Sequence, residues 1–177
     1  MLEGLKNWIR KRVLKKNESG EPTGLLPLSK IRSAVVFIDV EDPSFDNCKI
    51  AVQNFFRERS IKGEIFFFDF RKLTEGERLI TSITNTVLKK DLNWYGRPSQ
   101  EKMDLMLAGE PDLFISLLPR NDFPIEYMAK CSRSPFKVGR RQLPGDIFDL
   151  VIIDPEDNPC QEDEAFARMI AMMEKIK

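Results

Sequence analysis

Short apolar runs separated by amphipathic segments dominate the pattern along this chain. The runs are apolar at every position rather than at alternate ones, which indicates strands covered on both faces and hence a parallel sheet. Between them, apolar residues recur at spacings of three and four, which is typical of helices. The predicted strands lie at 34–40, 64–70, 79–88, 112–118, 136–140 and 148–153.

This alternation predicts a three-layer, Rossmann-like α/β fold with a mostly parallel sheet of five or six strands and helices on both faces. The first strand is expected at the centre, with a strand order near 3-2-1-4-5. Asp42-Pro43 is predicted to open the helix after it, which should end near Gly63, because Asp is a good N-cap and Gly a common terminator. Ser99 is predicted to cap a short helix, and Asn158-Pro159 to open the last one.

The N-terminal segment has a pattern of its own. Leu2, Leu5, Ile9 and Val13 follow helical spacing, which predicts an amphipathic helix over 2–16. Residues 17–23 are rich in turn-forming types and are read as a linker. We therefore expect a basic helix and linker over 1–29 and a single α/β domain over 30–177.

Composition indicates a soluble intracellular protein. The chain has 177 residues, of which 42% are hydrophobic and 32% charged, as in globular domains. No apolar run approaches the roughly 20 residues of a membrane span, and the basic N-terminus does not resemble a secretory signal. Three cysteines are too few and scattered for a disulfide framework or a zinc site. The sequence thus favours a cytoplasmic location.

Several familiar chemistries have no sequence support. The chain contains no histidine, which removes the usual general base near neutral pH and the common nucleophile pairs. The turn after the first strand carries Glu41 and Asp42 and no glycine, so it does not suit a pyrophosphate. No cofactor is predicted.

Charged residues at the predicted strand ends are the candidate ligand groups, because ligands of parallel sheets bind at the carboxyl edge. Asp39, Asp42 and Asp154 are candidate ligands for a hard divalent cation. Arg120 and Asn121, before a predicted helix, are candidates for binding an anion. The alternative is that these residues cap helices or form a solvated edge.

Two basic segments are candidate interaction surfaces. Lys6, Arg10 and Lys11 lie on the N-terminal helix, and Trp94 and Tyr95 lie in a later turn. The helix suits an anionic membrane surface through residues 2–16, and it equally suits packing on the domain or on a second subunit of a homodimer. Nucleic acid is the less favoured partner, because aromatic residues and arginine are enriched at protein interfaces generally.

Two resemblances add to this picture. The segments 89–96 (KKDLNWYG), 111–116 (PDLFIS) and 134–139 (SPFKVG) resemble a family of small uncharacterised bacterial proteins that carries a domain-of-unknown-function label. This resemblance implies a bacterial α/β domain and brings no activity. The region from 112 to 139 is also similar to the end of the N-terminal half of heptosyltransferase-type glycosyltransferases. Their Gly-rich first turn is missing here, so glycosyl transfer is not implied.

The sequence therefore favours a non-enzymatic binding or scaffolding protein of the bacterial cytoplasm, peripheral to the inner membrane through its N-terminal helix. The competing hypothesis is an enzyme that uses carboxylates and a metal, or a glycosyltransferase-like half-domain, acting at the carboxyl ends of the strands. The metal hypothesis requires Asp39, Asp42 and Asp154 to converge within roughly 5 Å.

Overall fold

The protein is built on a six-stranded parallel sheet. A computed structural model describes residues 1–74 and 76–177. The strand order is β3-β2-β1-β4-β5-β6, and every pairing is parallel. This confirms the predicted fold class and the central position of the first strand. The strands are β1 (Ser33–Asp39), β2 (Lys62–Asp69), β3 (Thr86–Leu88), β4 (Leu113–Ser116), β5 (Phe136–Gly139) and β6 (Leu150–Val151).

Helices cover both faces of the sheet. Two of them share a core on one face, and the other three share a core on the opposite face. The first layer holds α2 (Phe45–Arg59) and α5 (Glu162–Met173), and the second holds α1 (Leu2–Asn17), α3 (Gln100–Met106) and α4 (Phe123–Cys131).

The apolar runs are buried because alternate residues of each strand serve opposite cores. In β1, Val36 and Ile38 face the α2 and α5 layer, whereas Val35 and Phe37 face the other layer. The Phe37 ring contacts aromatic rings of both neighbouring strands. Six of the seven β1 residues are buried, as expected of a central strand in a three-layer domain.

Two predicted helix starts are wrong, one by two residues and the other by three. The helix after β1 begins at Phe45 with Ser44 as its N-cap, because the Asp42 carboxylate accepts from both the N–H and the hydroxyl of Ser44 at 2.8 Å and closes a turn. The last helix begins at Glu162. Its predicted opening at Asn158-Pro159 lies in a turn instead.

The end of α2 also differs from the prediction. The helix stops at Arg59, and Ser60 takes the left-handed conformation with φ 54°. Gly63 belongs to β2. A Cβ at that glycine would lie 2.3 Å from the Phe56 ring, so close packing requires glycine there.

The predicted strand 79–88 shortens to Thr86–Leu88. The hydroxyl of Thr86 donates to the Ser82 carbonyl at 2.6 Å, and the Asn85 N–H donates to the same carbonyl at 3.1 Å. These local hydrogen bonds form a turn in place of strand pairing. Side chains of Ser, Thr and Asn commonly compete with regular secondary structure in this way. The predicted Ser99 cap is confirmed, because its Oγ accepts from the Lys102 N–H at 3.4 Å.

The segment read as a linker runs along the end of α4. The Ser19 N–H donates to the Lys130 carbonyl and the Gly24 N–H to the Pro135 carbonyl, each at 2.9 Å. The Thr23 hydroxyl donates to Asp149 at 2.7 Å. The division of the chain at residue 30 stays a prediction.

Candidate functional site

The centre of the carboxyl edge is where this fold favours a ligand. The chain leaves β1 into α2 and leaves the neighbouring β4 into α4, and these helices lie on opposite faces. Open α/β sheets bind ligands in the crevice at such a point. Asp39 ends β1 and Arg120 follows β4, so both predicted groups lie at this crevice.

An ion pair occupies the crevice. Nη1 of Arg120 donates to Oδ2 of Asp39 at 2.6 Å, and Nε of Arg120 donates to the Asp122 carboxylate. The other Asp39 oxygen accepts from the Glu41 N–H at 3.0 Å. Asp39 is only 3% exposed, and Arg120 is the cation paired with it. An anion at Arg120 would have to displace a carboxylate, and the geometry therefore gives the predicted anion site little support.

Arginines also neutralise the acids at other strand ends. Arg71 forms a two-pronged pair with Asp69 at 2.7 and 2.8 Å, and this hydrogen bonding lowers the pKa of the carboxyl group. Arg140, which is 4% exposed, donates to Asp154 at 2.6 Å. Arg71 follows Asp69 by two residues in the sequence, whereas the pairing of Arg140 with Asp154 follows only from the strand order.

The structure does not bring the three predicted metal ligands together. Asp39 pairs with Arg120, Asp42 closes the turn at Ser44, and Asp154 pairs with Arg140. Within residues 1–74 and 76–177, no group of three or more His, Cys, Asp or Glu side chains is arranged to hold a metal ion. The carboxylates are instead committed to separate partners.

Sequence reasoning missed Glu162, a fully buried carboxyl group beside the same crevice. Its Oε1 accepts from the Asp39 N–H at 2.6 Å, and its Oε2 has no hydrogen-bond partner among the described residues. Burial raises the pKa of Glu162 to about 9, and the nearby Asp42 and Asp39 add to the effect. Glu162 is thus a neutral acid near pH 7. Its place in the first turn of an acidic helix gave no sign of burial.

Cys160 lies between Asp154 and Arg140. Its Sγ donates to Oδ1 of Asp154 at 2.8 Å, and its carbonyl accepts from Arg140 at 2.5 Å. Burial and the bond to Asp154 raise the pKa of the Cys160 thiol to about 11. A protonated thiol is a poor nucleophile, so Cys160 contributes packing and hydrogen bonding here.

A second candidate surface lies on α1. This helix packs on the domain through Leu14, which is buried, and Val13. Leu2, Leu5 and Trp8 are instead 77%, 52% and 57% exposed. Their spacing of three residues places them along one side of the helix. The helix therefore presents an apolar stripe, defined here as Leu2, Leu5 and Trp8, to solvent.

The structure joins the two predicted interaction segments. Nε of Arg10 donates to the Tyr95 carbonyl at 2.7 Å, and the Arg10 guanidinium lies 4.8 Å from the centre of the Phe123 ring. Trp94 packs edge-on against Tyr95 and is 57% exposed. Arg10 and Tyr95 are thus structural contacts, whereas Trp94 belongs to the exposed surface.

The remaining predicted surface residues lie on α1. Lys11 is exposed, and Lys6 lies 3.8 Å from the Glu3 carboxylate. None of the helices in the described part of the chain is long and apolar enough to cross a membrane.

A family comparison covers almost the whole chain. The model of a family of unknown function, DUF6913, matches residues 3–166. The chain belongs to the DUF6913 family. This confirms the predicted resemblance to a family with a domain-of-unknown-function label. No curated protein and no solved structure gives a significant match, and the similarity to heptosyltransferase-type enzymes stays a prediction.

The region matched by DUF6913 includes the crevice and, apart from Leu2, the apolar stripe. It begins after Leu2 and ends within α5, so it contains the ion pair at the crevice, Glu162 and most of α1. Every site residue predicted from the sequence lies inside it. The family description names no activity, so function must be argued from the two surfaces themselves.

Proposed function

We propose that this protein is a non-enzymatic binding protein that attaches peripherally to an anionic membrane surface through α1. The observation that carries the proposal is the apolar stripe, whose three large side chains are more than half exposed on a helix already anchored to the domain. Large side chains left in water along one helix side indicate a binding surface. Under this proposal the protein works at the cytoplasmic face of the inner membrane.

The charge of α1 selects the partner. Residues 1–16 contain six Lys and Arg residues and one acid, Glu3. Arg12 and Lys16 follow Leu5 by seven and eleven residues, so they continue the line of the apolar stripe along the helix. Apolar side chains next to exposed cations suit the boundary between acyl chains and anionic head groups. A protein partner would not require this excess of positive charge.

The crevice supports a binding role more than catalysis. Asp39, Asp69 and Asp154 are each paired with an arginine, and Glu162 is neutral. In the described part of the chain, no three His, Cys, Asp or Glu side chains are arranged to hold a metal ion. A carboxylate enzyme needs one free base and one acid at a shared reaction centre. Two of these ion pairs, Arg120 with Asp39 and Arg140 with Asp154, instead tie the ends of neighbouring strands together.

Vesicle flotation tests the proposal. The full chain should float with vesicles containing phosphatidylglycerol and remain unbound with neutral phosphatidylcholine alone, and added salt should weaken the binding. The double variant Leu5→Ala/Trp8→Ala should bind roughly thirtyfold or more weakly, because two large side chains no longer enter the interface. The matched control, Ile50→Ala/Ile80→Ala, removes two apolar side chains that are 52% and 56% exposed elsewhere and should bind like the natural protein.

Equal flotation of the two double variants would refute the role of the apolar stripe. Analytical ultracentrifugation of the same proteins tests the homodimer. If the natural protein is a dimer that Leu5→Ala/Trp8→Ala converts to a monomer, and neither binds vesicles, the apolar stripe belongs to a second copy and the membrane proposal is wrong.

A further inference from the structure

A basic cleft lies beside the apolar stripe. It has a volume of about 630 Å³ and is lined by α1, by one side of α4 from Phe123 to Lys130 and by the loop at residues 144–145. This volume lies within the range typical of small-molecule sites. Asn7, Lys11 and Lys15 line it from α1. Lys11 and Lys15 follow Trp8 by three and seven residues, so the cleft adjoins the apolar stripe.

The cleft carries more positive than negative charge. Its cations are Arg10, Lys11, Lys15 and Lys130, and its acids are Glu18 and Glu126. Lys130 and Glu126 neutralise each other in an ion pair of 3.0 Å. Three cations therefore face one remaining acid. Such a cleft concentrates field lines and attracts anions.

Arg10 is held in place at the cleft wall. The Tyr95 carbonyl and the Phe123 ring fix its guanidinium. Gly96 allows this approach, because a Cβ there would lie 3.1 Å from Nη2 of Arg10, and its φ of +91° disfavours other residues. The Nη atoms make no hydrogen bond within residues 1–74 and 76–177. Their donors are thus positioned in advance for a ligand.

We infer that this cleft binds a phosphomonoester group, which under the proposed membrane function belongs to the head group of an anionic lipid. A fixed guanidinium matches two phosphate oxygens at once, and lysines add mobile point charges. The position beside the apolar stripe would let the acyl chains of the same lipid meet Leu5 and Trp8. The inference rests on the proposed function for the source of the phosphate.

Two double variants of equal charge test the cleft. Lys11→Gln/Lys15→Gln removes two cleft cations, and Arg12→Gln/Lys16→Gln removes two cations of the same helix that do not line the cleft. Inorganic phosphate at ten times its Kd, compared with chloride at equal ionic strength, should raise the Tm of the natural protein and of Arg12→Gln/Lys16→Gln by roughly 3 to 6 °C. It should not raise the Tm of Lys11→Gln/Lys15→Gln. Equal shifts in both variants would overturn the inference.

Vesicles of matched surface charge identify the source of the phosphate. The natural protein should prefer phosphatidic acid, a phosphomonoester, over phosphatidylglycerol, a phosphodiester. Either double variant should bind phosphatidylglycerol roughly thirtyfold more weakly through the loss of two charges. Only Lys11→Gln/Lys15→Gln should also lose the preference for phosphatidic acid.

The outcomes separate the inference from the proposed function. Salt-sensitive vesicle binding with no lipid preference and no phosphate effect on Tm would overturn the cleft and leave the membrane function intact. A phosphate effect confined to the cleft cations, with no binding to either vesicle, would overturn both the membrane function and the lipid assignment.

Discussion

The buried Glu162 makes a quantitative prediction about stability and pH. Folding raises the pKa of this carboxyl group from its ordinary value of 4.5 to about 9. The folded protein therefore keeps a proton that the unfolded chain releases. The stabilisation is fully present below pH 4.5 and is lost as the pH rises through 9. Between pH 5 and 8, the titration of Glu162 should lower the unfolding free energy of the protein by about 1.4 kcal/mol for each unit that the pH rises.

Glu162→Gln should remove this pH dependence. The amide oxygen can keep the bond from the Asp39 N–H, which Oε1 now accepts at 2.6 Å. The amide nitrogen replaces Oε2, which has no partner, and adds a constant cost of about 1–3 kcal/mol. The difference in unfolding free energy between the variant and the natural protein should therefore shift by about 2.7 kcal/mol in favour of the variant between pH 6 and pH 8. The constant cost does not affect this shift.

Urea unfolding at pH 6, 7 and 8 measures this gain directly, and thermal unfolding should show it as roughly 5 to 10 °C in relative Tm. Glu164→Gln is the matched control, because Glu164 lies on the exposed side of the same helix. Its free energy difference from the natural protein should be the same at all three pH values. If the unfolding free energy difference between Glu162→Gln and the natural protein is also the same at all three pH values, the assignment of Glu162 as a neutral acid is refuted.

Two further substitutions test the crevice and the packing of the sheet. Arg120→Met leaves the Asp39 carboxylate buried without its partner and should lower the unfolding free energy by about 1–3 kcal/mol at pH 7; a loss below about 0.5 kcal/mol in urea would contradict the ion pair. Gly139→Ala places a Cβ 2.3 Å from the Phe148 ring and should cost about 1–3 kcal/mol. Phe148→Leu in the same background should recover part of that loss in urea, and no recovery would show that the clash lies elsewhere.

The sheet was predictable because its signal is local. The run at 34–40 is apolar at every position, and only a central strand between two helical layers buries both of its sides. Strand lengths were less predictable. The Thr residues between 81 and 86 are β-forming types, but the hydroxyl groups of Thr81 and Thr86 bond within a turn, and the strand starts only at Thr86.

The candidate site was less predictable because its contacts are distant in sequence. Glu162 reaches Asp39 across 123 positions, and Arg10 reaches Tyr95 across 85. The identities of these residues alone do not predict either contact. The spacing of Leu2 and Leu5 correctly predicted a helix, but it gave no information on which side would face the domain. That choice depends on the docking of Leu14 against the α4 layer.

The two outer strands have a consequence for the behaviour of this protein in concentrated solution. β3 has three residues and β6 has two, so the outermost strand at each border offers few backbone groups to an incoming chain. Long, flat borders template fibrils, and very short ones suppress that route. Growth of a fibril from either of these two outer strands is therefore disfavoured.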